Sequence, residues 1–162
     1  MKVATNINSE EKNDILHKSP LCEEKRLIHK FKQIFLLLLG NSIQKYGNDL
    51  EKRQQILIAL SDILIEIYFS ESVLLRTLKT IKKNHNEEKE IEQLMVQYYV
   101  FEAYEIISNK SKEVILNISK GVERKQLIDL LDSKCVYRNY PDIIEIKTKI
   151  ADRFIKENSY YL

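Results

Sequence analysis

The side chains best able to do chemistry are a pair of carboxylates, three histidines, two cysteines and nine tyrosines, spread over 162 residues. Asp62 and Glu66 stand one helical turn apart, so on a helix their carboxylates share a face. Carboxylates so placed can divide acid and base work or take part in a metal site between helices. A di-iron bundle site needs an acidic residue followed three positions on by His, from each of two helices, and Glu66 is followed at that spacing by Phe69. The fit of that kind is Asp14 with His17, in a polar leader. An ordinary polar seam, in which both acids meet a Lys or Arg from a neighbouring helix, is the better reading.

His17, His29 and His85 fall in the leader, on a charged helix face and in a turn, and nothing resembles a zinc-binding HExxH. Cys22 and Cys135 form no CxxC pair, which leaves thiol-redox and zinc readings without ligands. With three glycines in the chain there is no GxGxxG, GxxxxGK[ST] or GxSxG, hence no dinucleotide cradle, phosphate loop or nucleophile elbow. Tyrosine can stack on bases or flavins. Tyr98 and Tyr99, and the terminal Tyr160 and Tyr161, lack an accompanying basic stripe and read as packing at the edge of a bundle. No catalytic, cofactor-binding or metal-ligating residue is assigned.

The elements that carry these residues are helices. Leu, Ile, Lys and Glu abound, while three glycines and two prolines leave little material for hairpins. Residues 1–20 are polar and poorly periodic, a loosely ordered leader closed by Pro20. Residues 21–162 form the domain. A first helix is expected from about Cys22 to Tyr46, with Leu27, Phe31, Ile34, Phe35 and Leu38 inward and Gly47 as its stop. Gly40 inside it suggests close approach by a neighbour.

A second helix is expected from near Asp49 to Lys83. Ile56, Leu60, Ile63, Ile67, Leu74, Leu78 and Ile81 follow a four-three spacing, and Leu57, Leu64, Ile65, Tyr68 and Phe69 widen the apolar surface, so this helix reads as central. Past the polar turn at 84–86 a third helix carries Ile91, Leu94, Met95, Tyr98, Phe101 and Ile106, then Val114, Ile115 and Ile118, with a kink predicted at Ser108 to Lys112. Gly121 closes it. A shorter helix from Glu123 to about Lys134 and a last one from Asp142 to about Asn158 follow, separated by a turn at Tyr137 to Pro141. The fold class is all-α, an antiparallel bundle of about five helices.

At this length the chain can bury roughly 70% of its unfolded surface. The 26 basic and 24 acidic residues are interspersed and give a formal charge of +2, which argues against a nucleic-acid surface. The longest apolar run, Ile34 to Leu39, is far short of the roughly 20 residues of a membrane span. The cysteine usage and the lack of an apolar leader point to a soluble protein of the cytoplasm.

One stretch carries a resemblance. The run Ser61-Asp62-Ile63-Leu64-Ile65-Glu66-Ile67-Tyr68, followed by Glu71-Ser72 and Leu75-Arg76-Thr77, resembles the C-terminal helical domain of bacterial acyl-CoA dehydrogenases of the very-long-chain type. Gln44-Lys45-Tyr46-Gly47 and Gln54-Gln55 precede it, and Asn139-Tyr140-Pro141, Ile150-Ala151-Asp152 and a Tyr-rich terminus follow, all in the family's order over about residues 25 to 162. The resemblance implies a division of labour. A dehydrogenase core of two helical regions around a β-domain binds FAD and acyl-CoA, and a core glutamate removes the α-proton while hydride passes to the flavin. The C-terminal domain is a flavin-free relative of the core's own bundle, linked in mitochondrial members to membrane association and dimer architecture.

No position here maps onto the core's β-domain or its glutamate, so no catalytic residue is carried over. The expectation is a non-catalytic fragment or split product that supports a separately encoded acyl-CoA dehydrogenase core in fatty-acid β-oxidation, with FAD bound by the parent family and not by this chain. The alternative is a stand-alone protein-binding or peripheral lipid-binding module. Asp62, Glu66, Phe69, Val73 and Arg76 fall on one narrow stripe of the second helix, acidic, then apolar, then basic. Either a neighbouring helix seals it, or it faces a partner with Arg76 as anchor.

Overall fold

The computed structural model describes residues 21–83 and 90–157. The leader, with Asp14, His17 and Pro20, the turn holding His85, and Tyr160 and Tyr161 lie outside them. The described residues form α1 (Cys22–Tyr46), a 3-10 helix (Gly47–Lys52), α2 (Gln54–Lys83), α3 (Glu90–Ile118), α4 (Gly121–Lys134) and α5 (Ile143–Glu157), with no strand among them.

Helix α1 carries Glu23 and Glu24 in its first turn, where carboxylates suit the exposed N–H groups. It stops at Gly47, which at φ 50 bends the chain while its N–H still reaches the carbonyl of Ile43. The chain then tightens into the 3-10 helix, which inserts Leu50 into the core. For this reason α2 begins at Gln54 and not near Asp49: the tighter turn makes the reversal before α-helical geometry resumes. Gly121, at φ 55, makes the corresponding reversal between α3 and α4.

Cross-links fix the directions. Lys32 pairs with Glu71 and Lys110 with Asp62, so α2 runs antiparallel to both α1 and α3. At the C-terminus of α3 the free carbonyls collect donors from two sides. Lys45 Nζ donates to Ile118 O at 2.8 Å, Tyr46 Oη to Asn117 O at 3.0 Å, and the Arg124 guanidinium to Ser119 O at 2.9 Å and Leu116 O at 3.0 Å. Cations and hydroxyls there satisfy the last turn and oppose its partial negative charge.

The central helix is α3, a correction to the expectation for α2. It packs against α1, α2, α4 and α5. Its length, about 43 Å at 1.5 Å per residue, exceeds what either short helix can cover. Helix α4 covers its C-terminal half, where Lys112 meets Asp132. Helix α5 covers its N-terminal half, where Lys149 meets Glu90 and Lys147 lies over the Tyr98 ring. The kink expected at Ser108 to Lys112 does not break α3, because Lys110 and Lys112 reach laterally to acids on neighbouring helices and Ser111 is small enough to be wholly buried.

Phe31, Leu27, Ile34, Leu38, Ile63 and Ile107 are among the largest fully buried side chains, so the inward faces expected of α1 and α2 are observed. Between α4 and α5 the chain plugs Tyr137 into the side of the bundle, edge-on to Tyr104 with centroids 5.5 Å apart. The first turn of α1 holds this connector. Arg26 donates to Val136 O, and the Glu23 carboxylate accepts from Arg138 N–H at 2.8 Å. Gly40 corrects a second expectation: it is exposed, and a Cβ added there would meet nothing within 4 Å among the described residues.

Candidate functional site

The stripe on α2 divides into two parts with different surroundings. Its acidic end is bridged to α3. Asp62 Oδ2 lies 3.0 Å from Lys110 Nζ, which is also 3.6 Å from Glu113, and the hydrogen bond and charge of Asp62 raise the lysine's pKa. Glu66 Oε2 accepts a hydrogen bond from Tyr99 Oη at 3.3 Å. Burial first, and the Glu66 charge second, push the Tyr99 phenol up to about 12, so it stays a donor at neutral pH. Asp62 therefore meets a lysine from a neighbouring helix as expected of the seam, whereas Glu66 meets a tyrosine hydroxyl in place of a Lys or Arg.

The other end opens to solvent. Phe69 is half exposed and stacks edge-on to Tyr68 at 5.7 Å. Val73 is half-buried against the core. Arg76 is exposed and stands with Val73, Thr77, Thr80, Glu92 and Met95 around a cleft of about 310 Å³ between α2 and α3.

Beside this open end lies a surface the sequence reading misplaced. Ile58, Leu64, Ile65, Tyr68 and Leu75, assigned to a central helix or not singled out, are about half to two-thirds exposed. At 100° per residue they cluster opposite Ile63, Ile67, Ser70 and Leu74, which are buried. The signal in the sequence is an apolar periodicity wider than one neighbour on each side can cover. Leu36 and Ile43 of α1 are exposed as well, and the Lys32–Glu71 pair ties that helix to this flank of α2.

The remaining reactive groups do not converge. Among the described residues no three His, Cys, Asp or Glu side chains gather where they could hold a metal ion. His29 is exposed beside Gln33, with Nε2 3.0 Å from the amide nitrogen. Cys22 and Cys135 are free thiols, and burial pushes Cys135 up to about 11, which keeps it protonated and unreactive.

Comparison with known proteins follows the same outline. Residues 30–132 match the model of the acyl-CoA dehydrogenase C-terminal domain. The chain belongs to this family. A probable acyl-CoA dehydrogenase of Bacillus subtilis (strain 168) is 30% identical over 138 residues, a match spanning 85% of this chain and 23% of that protein. The crystal structure of an acyl-CoA dehydrogenase from Bacillus anthracis, complexed with FAD, superposes with a TM-score of 0.85 at 30% identity, over 90% of this chain and 25% of that one. The acyl-CoA dehydrogenase C-terminal domain here thus spans about a quarter of the length of the relatives it matches. Among the described residues no helix is long and apolar enough to cross a membrane.

Proposed function

We propose that this domain is a non-catalytic partner of an FAD-dependent acyl-CoA dehydrogenase core acting in fatty-acid β-oxidation, and that it packs on that core through the outer face of α2. The observation that carries this reading is the row of exposed Ile58, Leu64, Ile65, Tyr68, Phe69 and Leu75 on a helix whose opposite face fills the core. Contiguous apolar surface of this kind marks an interaction site more often than chance exposure. The similar proteins carry about three quarters of their length outside the matched region, and a core of that size is a fitting cover for such a face.

Within this reading the roles on the stripe separate. Phe69, Tyr68 and Ile65 provide the apolar centre and Arg76 the charged anchor, whereas Asp62 and Glu66 hold α2 to α3. The domain supplies neither the FAD site nor the base that removes a proton from acyl-CoA. Its helices offer no glycine-rich cradle for a pyrophosphate.

The test is co-purification with an acyl-CoA dehydrogenase core in wild-type form and as Ile65→Asp, Phe69→Asp and Arg76→Ala. All three positions are exposed, so folding should persist while recovery of the yellow core falls at least tenfold for the two apolar sites. Undiminished recovery with all three variants would remove α2 from the interface. Sedimentation with anionic liposomes and no recovery of flavoprotein would favour a lipid-surface role instead.

A further inference from the structure

We infer that α5 carries a self-association seam through which two copies of this chain pair in parallel. Ile144 and Ile155, 80% and 78% exposed, are the most exposed large apolar side chains among the described residues. With Thr148 and Ala151, both exposed, they recur at spacings of four, three and four. That spacing gathers the four side chains within about 60° of arc on a helix, the narrow strip that a second helix covers in a coiled coil. The strip faces away from the bundle, since Ile143, Ile146, Ile150 and Phe154 occupy the side turned to α3. Small residues at its centre let a partner backbone come close.

Charge on the flanks selects the occupant and its direction. Lys147 borders the strip on one side and Asp152 on the other, both exposed. In a parallel two-stranded pairing, a residue on the first flank meets the partner's residue five positions later on the second. Lys147 of each copy then faces Asp152 of the other, twice over by symmetry. An antiparallel pairing would instead set lysine against lysine and aspartate against aspartate. Glu145 is held within the chain by Lys149 at 2.8 Å, and Lys149 also reaches Glu90; Lys156, exposed one turn past Asp152, lies on the aspartate's flank. Lys147 is exposed and rests over the Tyr98 ring at 4.8 Å.

A seam of two heptads is smaller than the roughly 1,200 Å² of a stable interface, so pairing is concentration-dependent. This differs from the docking proposed for α2, which uses another helix and another partner, and either can fail without the other.

Sedimentation equilibrium of the full chain over a wide concentration range tests it. The average mass should rise from 19.2 kDa toward twice that value as concentration increases. The double substitution Ile144→Lys with Ile155→Lys should hold the chain monomeric with an unaltered melting temperature, as both sites are exposed. Lys147→Asp and Asp152→Lys should each weaken pairing about tenfold, the equivalent of roughly 1.4 kcal/mol, and the two combined should restore it. A monomer at every concentration, or a dimer insensitive to the isoleucine substitutions, overturns the inference. Equal pairing by the single and combined charge variants overturns the parallel register.

Discussion

Glu24 and Tyr137 are buried together where α1 meets the α4–α5 connector, close enough for the Glu24 charge to act on the Tyr137 phenol. The phenol is shifted far up by burial, then by the charges of Glu24 and Glu23, with Arg26 acting the other way, and its hydroxyl has no hydrogen-bond partner among the described residues. The Glu24 carboxyl is raised above the ordinary carboxylate range, by burial first and by Glu23 in addition. Glu23 itself is lowered, because its hydrogen bonds and charge contacts to Arg26 and Arg138 together outweigh the opposing effect of burial.

The first prediction follows from the sign of the Glu24 shift. A folded-state pKa above the unfolded one means that the native state holds its proton more tightly. This contribution is complete below the unfolded pKa of about 4.3, and it is lost as pH rises through the raised value. Glu24→Gln should therefore be more stable than wild type at pH 7, and its thermal midpoint should change less between pH 4 and 7. A variant less stable at pH 7 would show that the carboxylate's place near the α1 N-terminus outweighs its burial.

Gly40 supplies the second. It lies inside α1, is exposed, and has open space where a Cβ would stand. Gly40→Ala should stabilise the domain by about 0.5–1 kcal/mol through helix propensity alone. In thermal unfolding this is a rise of roughly 1–4 °C; a fall would mean that α1 is contacted there.

The third concerns Ile63, which is wholly buried where α2 meets the core. Ile63→Asp buries an unpaired charge and should cost at least about 3 kcal/mol. A denaturant midpoint that does not move would remove Ile63 from the core and the helix arrangement with it.

The fourth separates the acids from that core. Asp62 and Lys110 are each about one-third exposed, so water screens their attraction. Asp62→Asn should cost no more than about 1 kcal/mol, and the loss should shrink in added salt. A cost of several kcal/mol, insensitive to salt, would place the pair in a drier environment than its exposure indicates.

Much of this protein is determined by its sequence alone. The four-three recurrence of Ile56, Leu60, Ile63, Ile67 and Leu74 can only be buried by a helix, and Gly47 and Gly121 mark reversals because their positive φ suits glycine. The ordered landmarks of α2 and the last helix carried the family, which residues 30–132 bear out. The pairing of Asp62 with a lysine was also legible in outline. Periodicity reports that a residue is apolar and where it lies around a helix axis, but not which arc a neighbour covers. The tertiary structure decided that Leu64, Ile65, Tyr68 and Phe69 face outward, that α3 and not α2 is central, and that no described residue closes on the space a Cβ at Gly40 would fill. Those outcomes depend on contacts between residues far apart in the chain, such as Lys32 with Glu71 and Arg26 with Val136, which set the helices' rotations only when the bundle closes.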